Sequence, residues 1–509
     1  MLKNLFTVSS MTLVSRILGF VRDMVIARYF GASAGADAFF VAFKIPNFFR
    51  RLFAEGAFSQ AFVPVLSEAK EKAGMERVRH LVDAISFRLL MALLLVIGIG
   101  MVFSDAVIWL FAPGFHAEPF KFQLTAEMLR ITFPYLLFIS LVALSSAILN
   151  TYNHFAVPAF TPVLLNLTLI AAAIGLSPHF DIPVLALAWG VLLAGILQLA
   201  LHLPFLWRLG LLPRPRPIDD PGVNEVKRLM LPALFGVSVA QINLLIDTVL
   251  ASFLVTGSVS WLYYADRLME FPLGVFGIAL ATVALPGLSR AAARTDWHAY
   301  RAQIDTALRL IWLVGVPASL GLMLLAAPLL ATLFQYGAFT PEDVMQSSRA
   351  LMAYALGLVG FMLVKVLAPA FYALKDMKTP VRIAVIALVV NTVLNLVFIF
   401  PLAHVGLALA TSLAAFVNAG LLYHHLRGTH FERHEGWRAL LWRGVLAMGG
   451  MVAWLLLWTP STTDWLSADA WHRIGWLAAL VVSAVALYGA LLWLLGVRLH
   501  HVRLYRGED

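Results

Sequence analysis

Arg16, Arg22, Lys44 and Arg267 stand inside otherwise apolar stretches of a 509-residue chain. Arg28, Arg50, Arg51, Arg88, Arg130 and Lys365 lie within or at the edges of similar stretches, and Asp23, Asp37, Glu55, Asp247, Asp266 and Glu270 accompany them. An ionised group at the centre of a membrane span costs roughly 2.5–3.5 kcal/mol even on the insertion scale, so a cluster needs a partner or a function. Long side chains near span ends can reach the headgroups, which accounts for Arg28, Arg88 and Arg130 but not for the first four. The spacing carries more. Asp37, Lys44 and Arg51 are seven residues apart and share one helical stripe; Arg267 and Glu270 are i, i+3, and Asp266 and Glu270 are i, i+4. Guanidinium forks match phosphate oxygens. The pattern therefore suits a hydrated cavity that receives a polyanionic head group, with apolar walls that tolerate a lipid tail. Ion pairs that only hold helices together are the alternative.

A second constellation is all oxygen. Asp247 is the lone charge deep in its apolar stretch; Asn391 and Asn395 are i, i+4 on a later one, and Thr411 lies on the next. Such hard ligands suit a small monovalent cation. An interhelical hydrogen-bond cluster fits them equally well. The sequence has no GxxxxGK[ST], HExxH or CxxC motif. Transport driven by membrane potential or a cation gradient, with no cofactor, is the expectation, and catalysis is not.

These residues need elements to hold them, and composition names the elements. Apolar residues make up 61% of the chain and charged ones 13%, with no cysteine. Soluble domains sit near roughly 45–50% and about 25%. A soluble enzyme, a disordered chain and a disulfide scaffold are excluded. Continuous rather than alternating apolar runs exclude a transmembrane β-barrel. The fold class is an all-α integral membrane protein. Fourteen spans are predicted, near 6–30, 36–64, 83–112, 126–150, 156–177, 182–207, 229–255, 258–288, 309–335, 350–374, 381–401, 405–425, 440–459 and 474–497. Alternate loops carry Lys70, Lys72, Arg77 and Arg79, then Arg208, Arg214 and Arg216, then Arg290, Arg294 and Arg301, and so on to the tail; the opposite loops hold Lys121, Arg349 and Arg473. That asymmetry puts both termini in the cytoplasm. The net charge of +9 thus reports topology and no nucleic-acid partner.

An internal repeat recurs at one constant offset. Pro64-Val65-Leu66-Ser67 matches Pro286-Gly287-Leu288-Ser289, Pro158 matches Pro380, and Leu185-Ala186-Leu187-Ala188 matches Leu407-Ala408-Leu409-Ala410. Two six-span lobes of the same topology, 1–215 and 216–430, are expected, followed by two extra spans and a cytoplasmic tail in 431–509.

Ser15-Arg16-Ile17-Leu18-Gly19-Phe20-Val21-Arg22-Asp23 closely resembles the opening signature of the MurJ/MviN family. So do Asp37-Ala38-Phe39-Phe40-Val41-Ala42-Phe43-Lys44-Ile45-Pro46-Asn47 and the runs Arg50–Phe58 and Ser258–Pro272. The resemblance covers essentially the whole chain. It implies a lipid II flippase of the multidrug/oligosaccharidyl-lipid/polysaccharide exporter superfamily, which moves an undecaprenyl-pyrophosphate disaccharide-pentapeptide outward by alternating access. It places essential cavity arginines at Arg16, Arg22, Arg50 and Arg267, and polar cavity partners at Asp37, Ser260 and Glu270. A sodium site known in some members falls on Asp247, Asn391, Asn395, the Leu407 carbonyl and Thr411. One asparagine here stands where that pattern has a carboxylate, so this set carries less negative charge. The last two spans correspond to a groove for the lipid tail. The resemblance also implies the bacterial inner membrane, membrane lipids as surroundings, a monomer, and association with the cell-wall synthesis machinery as a question beside it. A cation-coupled multidrug or polysaccharide-lipid exporter on the same fold is the alternative.

Overall fold

The computed structural model describes residues 2–429 and 436–498. Every regular element among them is helical. Contacts divide the chain into two compact units, Met1–Ser260 and Trp261–Asp509.

The first unit contains α1 (Leu2–Phe30), α2 (Ala34–Phe49), α3 (Ser59–Val102), α4 (Ser104–Phe111), α5 (Pro119–Thr132), α6 (Tyr135–Thr151), α7 (Ala156–Ala171), α8 (Leu185–Arg208) and α9 (Pro221–Ser252). A π-helical segment, Arg50–Phe58, continues α2 into α3. The Ser33 hydroxyl caps α2 through the Ala36 amide, and Asp220 followed by Pro221 starts α9. Phe62, Leu66, Leu81, Ile85, Leu144, Ile148 and Leu206 join α3, α6 and α8 in a buried core.

The segment from Leu209 to Asp220 has no helix, yet α3 binds it along its length. Arg77 pairs with Asp220, Arg79 donates to the Gly210 carbonyl at 2.9 Å, and Arg88 donates to the Ile218 carbonyl at 2.9 Å. The Asp83 carboxylate accepts from the Arg214 amide at 2.8 Å.

The helix α10 (Ser258–Ala293) crosses from the first unit into the second. There it is followed by α11 (Trp297–Leu310), α12 (Val316–Leu324), α13 (Ala326–Phe334), α14 (Pro341–Ala373), α15 (Lys378–Thr429), α16 (Trp437–Trp458), α17 (Thr462–Ser467) and α18 (Ala470–Leu494). A capping box between Thr340 and Asp343, with Pro341 at the first position, starts α14. The Thr379 side chain, and after it the Thr379 and Lys378 amides, bond Asp376 ahead of α15 and hold its carboxyl below the usual range. α14 and α15 approach closely at small residues, as helices in lipid do. A Cβ at Gly357 would lie 2.4 Å from the Ser412 hydroxyl. α15 is broken at Ala403, where φ is 49°.

Nine helical stretches among the described residues are long and apolar enough to cross a membrane. Their outer faces are greasy: Phe400 is 86% exposed, and Val393, Val397, Val482 and Val485 are exposed too. In water such faces would cost free energy at every turn; in lipid they are the solvated surface. The chain is thus a multi-pass membrane protein. α1, α2, α9 and α10 fall outside the nine, and they carry Arg22, Asp37, Asp247 and Arg267 from the charges singled out above, of which Arg22 and Asp37 are buried.

Several expected loops are helical. α3 runs on from Ser59 through the polar stretch before span 3, broken only at Gly74, where φ is 75°. α11 occupies another such stretch. Two residues expected in exposed loops are buried within elements. Lys121 lies in α5, and Arg473 in α18 donates to the Trp465, Leu466 and Ala331 carbonyls at 2.9, 2.7 and 3.1 Å. Neither reports topology: each is held by a partner that loop-counting cannot see. Arg88 and Arg130, expected to reach for headgroups, have partly exposed side chains that pair with Asp219 and Asp105.

Candidate functional site

In the first unit the charged side chains are built into helix contacts. On α1, Arg22 is 5% exposed. Its guanidinium grips the neighbouring Asp23 through two nitrogens at 2.9 and 2.7 Å, and donates to Asn166 on α7 at 3.0 Å. Asn166 in turn donates to the Ser15 carbonyl at 2.9 Å. Arg16, one turn and a half earlier, is exposed and lines a groove of about 510 Å³ with Thr12, Ser15, Asn150, Pro158 and Pro162. On α2, Asn47 accepts from Arg50 at 3.0 Å while its own amide donates to the Phe43 carbonyl, so Arg50 is steered by the turn that precedes it. Lys44 donates to Thr248 on α9 at 2.9 Å.

Asp37 is 1% exposed and accepts from the Gly257 and Ser260 amides at 2.8 and 2.9 Å and from the Ser260 hydroxyl at 2.6 Å. A carboxylate thus sits on the first turn of α10, where unbonded N–H groups and the helix dipole favour negative charge. Asp37 and Ser260, two of the polar residues singled out in the sequence, are thus bonded to each other.

In the second unit Arg267 stacks over the Tyr263 ring at 5.2 Å, bonds the Tyr263 hydroxyl at 3.3 Å and pairs with Glu270 at 3.1 Å. Both members of the pair are accessible, with side chains 36% and 49% exposed. Asn391 and Asn395 are buried on α15. The Thr411 hydroxyl donates to the Leu407 carbonyl at 3.0 Å, so two of the expected oxygen ligands bond to each other. Asp247 lies half-buried on α9 in the first unit. Among the described residues no group of three or more His, Cys, Asp or Glu side chains could hold a metal; a set of one carboxylate with neutral oxygens suits an alkali cation and not a transition metal.

Sequence reasoning overlooks four positions. Lys121 pairs with Asp37 at 3.1 Å. Asn166 orders Arg22; it is a single amide in an apolar span with no charge, a signal available in the chain itself. Tyr263 and Asn47 orient Arg267 and Arg50.

Apolar helices with lipid-facing outer faces, and with Arg22, Asp23, Asp37 and Lys121 buried between them, define a multi-pass membrane protein with charge built into its spans. The fold agrees: a multidrug MATE transporter of the MOP superfamily, solved facing inward, superposes with a TM-score of 0.67 at 14% identity, covering 83% of this chain and 97% of that one. A structure described as "Lipid II flippase MurJ, inward closed conformation" matches with a TM-score of 0.79 at 27% identity, over 95% of this chain and 97% of that one. The family model described as "Lipid II flippase MurJ" matches residues 26–470, and a Vibrio cholerae protein named "Probable lipid II flippase MurJ" is 50% identical over 516 residues, 99% of this chain and 98% of its own. The chain belongs to the MurJ lipid II flippase family.

Proposed function

We infer that this protein is a lipid II flippase, a transporter and no enzyme, of the bacterial inner membrane. Half-identity to a named flippase across nearly all of both chains carries the reading. The arginine-bearing helices supply its chemistry. Arg16, Arg22 and Arg50 in the first unit and Arg267 in the second bind pyrophosphate oxygens in the course of transport, with Asp37, Ser260 and Glu270 as their polar partners. Forked donors on an otherwise apolar helix can take a diphosphate while a prenyl tail stays in lipid.

The full reading has fourteen spans and both termini in the cytoplasm. Four charged helices, α1, α2, α9 and α10, join the apolar ones, and the break at Ala403 makes two spans of α15. Lobes 1–215 and 216–430 with the extra pair in 431–509 belong to it, as do one working chain and a place beside the cell-wall synthesis machinery. Substrate moves from the cytoplasmic to the periplasmic leaflet by alternating access. Membrane potential or sodium bound by Asp247, Asn391, Asn395, Leu407 and Thr411 drives the cycle.

A multidrug exporter would need carboxylates facing an organic cation. Here the buried Asp23 and Asp37 are already bonded to Arg22 and Lys121. The test is complementation: expressed in a bacterium depleted of its own lipid II flippase, the chain should restore growth and externalised lipid II. Normal expression without either result overturns the reading.

A further inference from the structure

Lys121 enters α5 two residues after Pro119 and is 2% exposed. Its ammonium lies 3.1 Å from Asp37 and 3.7 Å from Glu118, donates to the Thr256 hydroxyl at 3.1 Å and sits 4.4 Å over the Phe115 ring. Thr256 donates onward to Glu118 at 2.9 Å. One ammonium therefore ties together α2, α5 and the turn between α9 and α10. The same turn is approached from the other side by Gly114, whose amide donates to the Ser252 hydroxyl at 3.0 Å. A Cβ at Gly114 would fall 2.3 Å from the Ser252 carbonyl oxygen, so the 113–118 segment lies directly against the end of α9.

An ammonium taken fully out of water loses several kcal/mol of solvation, recovered only through well-made bonds to an opposite charge. Here the opposite charge is Asp37, whose carboxylate is committed to the first turn of α10. Separating the two leaves a buried cation on α5 and a buried anion on α2, held against the start of α10, and the stable escape for both is solvent. The contact thus has two states, closed or wet, with little between.

We propose that Lys121 is a positioning residue for transport: by balancing Asp37 it holds the α9–α10 turn closed over Ser258, and that turn opens when the pair separates. The proposal rests on the flippase reading for its consequence but not for its geometry. Ser258 is fully buried and its hydroxyl has no hydrogen bond, so Ser258→Cys is a mild reporter in a chain that has no cysteine.

In intact cells Ser258→Cys should resist an impermeant maleimide. Adding Lys121→Met should speed labelling about tenfold or more, the signature of a shifted local opening equilibrium, and should cut lipid II externalisation about as much at equal membrane abundance. Lys121→Arg, which keeps the charge, should return both readouts toward the parent. Where Lys121→Met does not accumulate, the pair Asp37→Asn/Lys121→Met decides, because it leaves no buried charge to drive the turn open: protection of Ser258→Cys supports the proposal and labelling overturns it. Unchanged protection with unchanged transport in Lys121→Met overturns it as well, and so does lost transport with Ser258→Cys still protected. Labelling needs no substrate, so a parent that moves no lipid II would refute the flippase reading and leave the test of the turn intact.

Discussion

The Arg22 guanidinium and the Asn166 side-chain oxygen meet at 3.0 Å, joining α1 to α7 across a span that has no charge of its own. With Asp23 on its other side, Arg22 holds together the helix contact in which it would also have to bind phosphate. Removing it leaves Asp23 buried without its bonded arginine, at a cost of about 3–5 kcal/mol. Arg22→Ala should therefore lose transport and lower the thermal midpoint in detergent together. Arg22→Lys should keep more of the stability than of the transport, since a point charge cannot repeat the fork. A wild-type midpoint for Arg22→Ala would show that the buried pair holds nothing.

Arg267 should separate the two effects. Its side chain is partly open to solvent and its bonds to Tyr263 and Glu270 stay on one helix face. Arg267→Ala should change stability by under about 1 kcal/mol, the range of exposed pairs, and still abolish lipid II externalisation. Full transport by this variant would remove Arg267 from the substrate path.

Arg473 makes the opposite case. Bonds from a charged group to buried carbonyls are worth about 1.5–3 kcal/mol each, and Arg473 makes three of 3.1 Å or less. Arg473→Met should lower the thermal midpoint and yield while the transport rate per folded molecule stays at the parent value. A specific transport defect at normal stability would contradict this role.

Orientation is open to direct chemistry because the chain lacks cysteine. Ala117→Cys and Thr463→Cys, both at exposed positions, should react with an impermeant thiol reagent in intact cells, and Glu76→Cys should not. Labelling of Glu76→Cys alone would invert the topology.

A bound cation should announce itself as stability. At ten times its dissociation constant an ion that binds the folded state adds about 1.4 kcal/mol. Sodium should raise the thermal midpoint over choline at equal ionic strength, and Asn391→Leu or Asp247→Asn should flatten that difference. A response identical in parent and variants would leave Asn391 and Asn395 as packing residues only.

Most of the helical frame is legible in the residues, because apolar runs and polar breaks are local. The boundaries of α8 and α16 fall within three residues of the expected spans. Arg22, Asp37 and Arg267 stand out for the same reason: a charge among apolar neighbours is conspicuous. What stays hidden is pairing at long range. Lys121 next to a Pro-Phe pair reads as a loop residue until Asp37, far upstream, is seen beside it. Arg473 reads as a loop charge because the carbonyls it serves belong to other turns of chain. Continuity explains the rest of the mismatch: Ser59–Val102 runs on directly from the π-helical turn before it, and Asp296 caps the amphipathic Trp297–Leu310, so both stay helical where polarity alone suggests a break.

The stretch from Leu209 to Asp220, with Pro213, Pro215 and Pro217, has the composition of a semi-rigid extended spacer, stiff along its own length but free to swing. Lashed to Arg77, Arg79, Asp83 and Arg88, it behaves as splinted cable. Its ordering entropy is already spent in the fold, so none is left to act as an elastic tether between α8 and α9. A protease probing for loose chain should pass over it, and a few inserted glycines should be felt as damage to α3 rather than absorbed as extra length.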